Sequence, residues 1–281
     1  MITIVFGKPG VGKTAFLVAD ATKYMDGSAE CRELYSDCLS QVRALNSAGA
    51  CFEEPLNAPV YSNFPIRIPR GTLPSWESYY IDGFHLGFEN DDVPVFPVLP
   101  SARIYLSEAQ RYYNSRRSKD LPDWVSRYYE EHRHFGLEII LDVQRPGLID
   151  INIRELCGRF VEIQQLAHHT DKAGNITGTD FYIREFPDWK WVDKYLTTGE
   201  KCYTETVVPF DGNVFTHYQS RSYYNQFVPA DGFFMLQHIS GADAVEDAEI
   251  AKQMYQQIPP EGFYGRSASQ KKRRSVDVSD T

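Results

Sequence analysis

The chain has 281 residues, 42% hydrophobic and 24% charged, an ordinary globular composition that is large enough to bury its own core. A formal net charge of −9 excludes a surface that is a nucleic-acid footprint throughout, so any DNA contact would need a local basic patch. Five cysteines, Cys31, Cys38, Cys51, Cys157 and Cys202, include no C-x-x-C pair, which argues against a disulfide framework or a zinc ribbon and for free thiols in a reducing compartment.

Ile2–Phe6 is a β-branched run ending at glycine and reads as a buried strand. From Thr14 to about Met25, Phe16, Leu17, Ala21 and Tyr24 recur at helical spacing. Between the two stands Gly7-Lys8-Pro9-Gly10-Val11-Gly12-Lys13-Thr14, which matches G-x-x-x-x-G-K-[ST] at every specified position. Glycines let successive N–H groups turn toward phosphate without a Cβ clash. The following helix points its positive end at the same anion. Lys13 supplies a point charge to the β- and γ-phosphates, and Thr14 a hydroxyl to Mg²⁺. With Ala15 at the helix start, Gly7 to Thr14 form the expected nucleotide-binding set.

Within residues 26–57, Leu34, Cys38, Val42 and Leu45 predict an amphipathic helix that ends near Asn46 and Gly49. Val60–Ser62 reads as a second strand. Residues 65–100 are rich in Pro, Gly and aromatics and read as irregular, with at most short helices. Arg103–Leu106 is a third strand, expected beside the phosphate-loop strand. A helix follows from about Glu108, Pro122 breaks it, and Val125–His134 forms another. Leu137–Val143 and Arg159–Gln164 are further strands.

After about Thr170, DKAGNITGTDFYIREF reads as two strands around a Gly/Asn turn, and GNVFTHYQSRSYY as another. One modest helix is expected from about Asp243, then a polar tail containing Lys271-Lys272-Arg273-Arg274. No stretch approaches the length of a membrane span; Gly232–Ile239 comes nearest and is short.

These elements predict an α/β fold with a parallel sheet: a P-loop NTPase of the RecA-like, additional-strand type with a C-terminal antiparallel extension. The expected organisation is an ATPase domain over 1–225, with a helical insertion at 26–57 and the extension at 170–225. A short segment at 226–265 and a disordered tail at 266–281 would follow.

The strand that carries the metal-organising Asp in such NTPases often has a catalytic Glu next to it. Here the pair is Ser107-Glu108. Two alignments are open: Ser107 replaces the Asp while Glu108 keeps the water-activating role, or Glu108 is the metal organiser with no separate base. We favour the first. Thr14, Ser107 and Glu108 are then the candidate metal residues, and turnover is the property that Ser107 puts in question. Gln144, at the end of Leu137–Val143, is placed to face the γ-phosphate; Asp142 points to the face opposite Val143 and has no assigned role. Arg133 is the preferred candidate for an arginine acting in trans, beside Arg154, Arg116 and Arg117. His132, His134, His168 and His169 are too dispersed for a metal site. No N-K-x-D guanine signature is present, which favours ATP.

GKPGVGKT, VYSNFPI, IYLSEAQRYYNSR, HRHFGLEIILDVQRPGLIDINIREL and VFTHYQS, in that order, resemble the zonular occludens toxin (Zot) family, whose N-terminal domain is shared with filamentous-phage assembly ATPases related to the FtsK/HerA motors. The resemblance covers roughly Met1 to Ser220. It implies ATP and Mg²⁺ as cofactors and a homo-oligomeric ring. It also implies ATP-driven assembly or export of filamentous virions at the inner membrane, with a phage coat protein or a membrane assembly protein as partner. The family commonly has Asp where Ser107 stands, and many members carry a membrane span after the ATPase domain. With none read here, the expected location is cytoplasmic, peripheral to the inner membrane through a partner. Two alternatives accompany this reading: a DNA-translocating or packaging ATPase, and an ATP-binding switch or scaffold of weak turnover.

Overall fold

The apolar run Ile2–Phe6 forms β1, buried along its whole length. The computed structural model describes residues 1–50, 52–70, 73–81, 88–90, 93–95, 98–121, 123–174, 176–210 and 217. All fall in the first of two units, Met1–Ser220 and Arg221–Thr281. In chain order, β1 is followed by α1 (Lys13–Thr22), α2 (Ala29–Ser47), β2 (Val60–Ser62), β3 (Arg67–Arg70), β4 (Leu73–Glu77), β5 (Tyr79–Tyr80), β6 (Phe88–Asn90) and β7 (Val93–Val95). Then come β8 (Arg103–Leu106), α3 (Asp123–Glu131), β9 (Glu138–Val143), α4 (Ile151–Glu155), β10 (Arg159–Thr170), β11 (Ile176–Phe186), α5 (Trp189–Thr198) and β12 (Thr204–Phe210).

Eight strands form the main sheet in the order β12-β11-β10-β1-β9-β8-β2-β5. From β10 to β5 every pairing is parallel, whereas β11 and β12 add on antiparallel. This is a mixed α/β sheet, parallel in its larger part, with the antiparallel extension at its C-terminal side. One expectation is corrected. β8 does not run beside β1; β9 is inserted between them, Val5 in register with Asp142 and Leu106 with Leu141. β1 is thus paired on both edges, by β9 and by β10.

Alternation along the strands sorts two faces. Ile4, Phe6, Ile104, Leu106, Leu141 and Val143 join a core with Tyr113, Tyr128, Tyr129, Phe160 and Phe186. The other face carries Tyr105 and Asp142, both fully buried. Tyr105 donates its hydroxyl to Asp20 of α1 at 2.8 Å. Arg103 pairs with Asp20 and Glu138 and lies 3.7 Å from the Tyr24 ring centroid. This polar clamp holds the C-terminal half of α1 against the sheet.

α2 forms where the apolar spacing predicts it. Ser28 caps it, accepting the Cys31 N–H at 3.1 Å, and Cys38 and Val42 are fully buried. Residues 65–100 differ from expectation: β3 pairs with β4, β6 pairs with β7, and β5 joins the main sheet. These strands have two to five residues, too short for alternation to register beside their prolines and glycines.

The helix expected from Glu108 is also corrected. Glu108 adopts a left-handed conformation, φ 54°, and two 3-10 turns follow, at Ala109–Arg111 and Ser115–Asp120. Its N–H is turned onto the Asp142 carboxylate.

The turn near Gly174 joins β10 to β11, and the first strand of that hairpin is the prolongation of β10 itself. Past Glu162, β10 leaves β1 and pairs with β11 alone, through a bulge at Ile163/Gln165. Because β10 is parallel to β1, this ribbon rises at the end of the sheet that carries the phosphate loop. Pro122, the GNVFTHYQSRSYY strand (His217 apart), Gly232–Ile239, the helix from Asp243 and the Lys271–Arg274 run lie outside the described residues.

Candidate functional site

The loop between β1 and α1 turns on three glycines with positive φ: Gly7 at 154°, Gly10 at 81° and Gly12 at 95°. A Cβ on Gly7 would stand 2.7 Å from the Ile163 carbonyl oxygen, and one on Gly12 3.2 Å from the Phe181 ring. The loop is therefore wedged against the rising ribbon, and Phe181 also meets Phe16 of α1 edge-on at 5.3 Å. No side chain caps α1, which leaves its first N–H groups to an anion. Lys8, Pro9 and Gly10 are exposed, Val11 and Gly12 half-buried, and Ala15 buried.

Lys13 is buried, and its ammonium donates to the carbonyls of Gly7 at 3.2 Å and Lys8 at 3.3 Å. A buried cation whose hydrogen bonds go to neutral carbonyls of its own loop fits a site made for a polyanion.

Thr14 stands beside the ends of two strands. Its Oγ1 is 3.5 Å from Ser107 Oγ and 3.4 Å from Asp142 Oδ2. Ser107 Oγ donates to the same Oδ2 at 2.8 Å, and the Glu108 N–H donates to Oδ1 at 3.1 Å. The sequence reading left Asp142 without a role. Its signal was present, a lone acid in the apolar run Ile139–Val143, but its meaning depends on β9 lying between β1 and β8. Burial pushes the Asp142 carboxyl up to about 6, against the hydrogen bonds from Glu108 and Ser107 and the charge of Lys13.

Asn63 is a second residue that sequence reasoning missed. Its Oδ1 accepts the Ser107 N–H at 2.8 Å, and its Nδ2 donates to the Ser107 carbonyl at 2.9 Å and the Tyr112 hydroxyl at 3.1 Å. The amide grips Ser107 by both main-chain groups where the chain reverses. The Glu108 carboxylate is half-buried and accepts from Gln110.

The two other catalytic candidates lie on the surface. Gln144 is exposed just past β9. Arg133 is exposed in the turn before β9, where its charge reaches the Met1 ammonium at the start of β1. It thus lies at the end of the sheet away from its own phosphate loop. Arg154 stacks on Trp189, 4.1 Å from the ring centroid, and Arg116 and Arg117 are exposed. On the other side of β1, Glu162 sits in register with Phe6 and faces Arg184 at 3.7 Å. Burial raises its carboxyl, with Arg184 opposing.

Thr14, Asp142 and Ser107 offer hard oxygens, and a single carboxylate with hydroxyls suits Mg²⁺ that keeps its remaining contacts for phosphate and water. Among the described residues no group of three His, Cys, Asp or Glu could hold a metal by itself.

Residues 95–222 match the family model of zonular occludens toxin (Zot). The Zot match spans β8 to β12 and so includes Ser107, Glu108, Asp142 and Gln144; the phosphate loop lies outside it. Among solved structures, the N-terminal domain of zonular occludens toxin from Neisseria meningitidis is similar at 17% identity, with 78% of this chain and 98% of that chain covered and a TM-score of 0.44. The genome packaging NTPase B204 from Sulfolobus turreted icosahedral virus 2, in complex with ATP-gammaS, is similar at 8% identity, with 75% and 96% covered and a TM-score of 0.35. No match was found among curated proteins.

Proposed function

We propose that the chain is a Zot-type ATPase that binds ATP with Mg²⁺ and couples hydrolysis to assembly or export of filamentous virions. The observation that carries the nucleotide reading is the buried Lys13 ammonium, held by loop carbonyls beside Thr14 and Asp142. Lys13 and the N–H groups of Gly10 to Ala15 would hold the β- and γ-phosphates. Mg²⁺ carried in with the triphosphate would neutralise charge on the transferred phosphoryl group. Glu108 would orient and deprotonate the attacking water, with Gln144 near the γ-phosphate. Arg133 would act on a neighbouring subunit in a homo-oligomeric ring.

Assembly at the inner membrane, with a coat protein or a membrane protein as partner, follows from the family resemblance. Attachment peripheral to the membrane through that partner is part of the same reading; no helix among the described residues is long and apolar enough to cross a membrane. The switch reading draws on the charge missing at Ser107; ATP binding without phosphate release would support it. DNA translocation is distinguished by DNA-stimulated turnover and steeply salt-dependent DNA binding.

The test is equilibrium binding of ATP by calorimetry to the wild-type chain and to Lys13→Ala and Glu108→Gln. Lys13→Ala should lose ATP binding. Glu108→Gln should keep it and lose phosphate release. Equal ATP binding by wild type and Lys13→Ala would overturn the reading.

A further inference from the structure

We propose that Asp142 of β9 is the carboxylate that organises the magnesium site, and that Ser107 is its positioning partner. This rests on the nucleotide-binding reading above and identifies the carboxylate that the Ser107-Glu108 pair lacks.

The sheet order makes the transfer physically simple. β9 lies between β8 and β1, so Asp142 is one strand nearer the phosphate loop than Ser107. Leu141 and Val143 enter the core, which turns Asp142 to the α1 face. There its Oδ2 stands 2.8 Å from Ser107 Oγ and 3.4 Å from Thr14 Oγ1. The hydroxyl expected to touch the metal and the carboxylate expected to organise it are therefore already neighbours.

The same geometry explains the serine. Oγ of Ser107 occupies the place of the Cγ of an aspartate at that position. An acid there would push its carboxylate into that of Asp142, and two carboxylates about 3 Å apart cannot both ionise. Ser107 instead donates a hydrogen bond to Asp142. Acid at 142 and hydroxyl at 107 are thus coupled choices, one charge in either arrangement. Asn63, gripping the Ser107 main chain, holds that hydroxyl in place.

Glu108 is thereby freed from the metal. Asp142 accepts the Glu108 main-chain N–H, while the Glu108 carboxylate accepts from Gln110. The alternative that made Glu108 the metal organiser loses its reason.

The experiment measures ATP affinity in EDTA and in excess Mg²⁺ for wild type, Asp142→Asn, Glu108→Gln and the double variant Ser107→Asp/Asp142→Ser. Electron paramagnetic resonance of Mn²⁺ with a non-hydrolysable ATP analogue is read alongside. Asp142→Asn should keep its EDTA affinity and lose roughly 10–100-fold of the metal-dependent gain and of Mn²⁺ affinity. The double variant should recover most of that loss, and Glu108→Gln should retain the metal effect. An undiminished metal effect in Asp142→Asn, or its loss in Glu108→Gln, would overturn the inference while leaving ATP binding intact. If Asp142→Asn loses all nucleotide binding, the double variant decides: recovery supports the assignment and no recovery overturns it. A wild-type chain that binds no ATP in either buffer would overturn both this inference and the reading beneath it.

Discussion

Asp142 makes the site sensitive to pH before any ligand arrives. Its carboxyl is raised from 3.8 to about 6, chiefly by burial. A raised value means that the folded chain holds the proton more tightly than the unfolded one. The stability from this group is therefore fully present below pH 3.8 and is lost as pH rises through about 6. The loss is on the order of 3 kcal/mol. Asp142→Asn has no such proton to release, so in metal-free buffer its urea midpoint should fall less than that of wild type between about pH 4 and pH 7. Parallel profiles for the two proteins would contradict this. At the loop, Gly7→Ala and Gly10→Ala should differ. Both positions have positive φ, but only the Gly7 Cβ meets backbone, at 2.7 Å. We expect a cost of about 1–2 kcal/mol at Gly10 and a larger one at Gly7, because the Ile163 strand cannot yield cheaply; urea midpoints would rank them. The glycines, Lys13 and Thr14 were legible because the motif is local in sequence. Asp142 was not, because it acts on a main-chain group 34 residues away in the chain and only sheet order brings the two together.

At the scale of elements, the β10–β11 ribbon and the reversal after β8 shape the site. Phe181 is fully buried between Gly12 and Phe16. Phe181→Ala should cost about 3–5 kcal/mol in chemical denaturation and also weaken ATP binding, since it unseats the loop. A stability loss with unchanged ATP affinity would mean that the ribbon does not support the loop. Asn63→Ala removes three hydrogen bonds around Ser107 and should lower stability by about 1–3 kcal/mol. As a positioning residue it should also reduce the Mg²⁺-dependent gain in ATP affinity, which a merely structural role would leave alone. The continuous apolar runs of β1 and β9 and the helical spacing of α1 and α2 could be read in advance. The short strands between Arg67 and Val95 could not, being fixed by pairing rather than by their own pattern. The left-handed turn at Glu108 is likewise set by a distant carboxylate, so helical spacing after it misleads.

At the scale of the whole molecule, hydrolysis should depend on copies of the chain meeting. Arg133 lies at the far end of the sheet from its own loop, so it can reach a γ-phosphate only in trans. Arg133→Ala should therefore bind ATP as wild type does and lose about 10³-fold or more in turnover. Mixing it with Lys13→Ala should restore part of the activity, because some interfaces would then pair an intact loop with an intact arginine. No restoration, with both variants shown to co-assemble, would count against Arg133. Ring formation and the trans arginine come from resemblance rather than from residues, since an interface between copies leaves no local pattern in one sequence.

The most direct measurement is steady-state phosphate release with Mg-ATP over a wide range of protein concentration, for wild type and Lys13→Ala together. Release per chain that rises with concentration and is absent from Lys13→Ala is the predicted result. Release that is undetectable at every concentration, or equal in the two proteins, would contradict the proposal that this chain is an assembling ATPase.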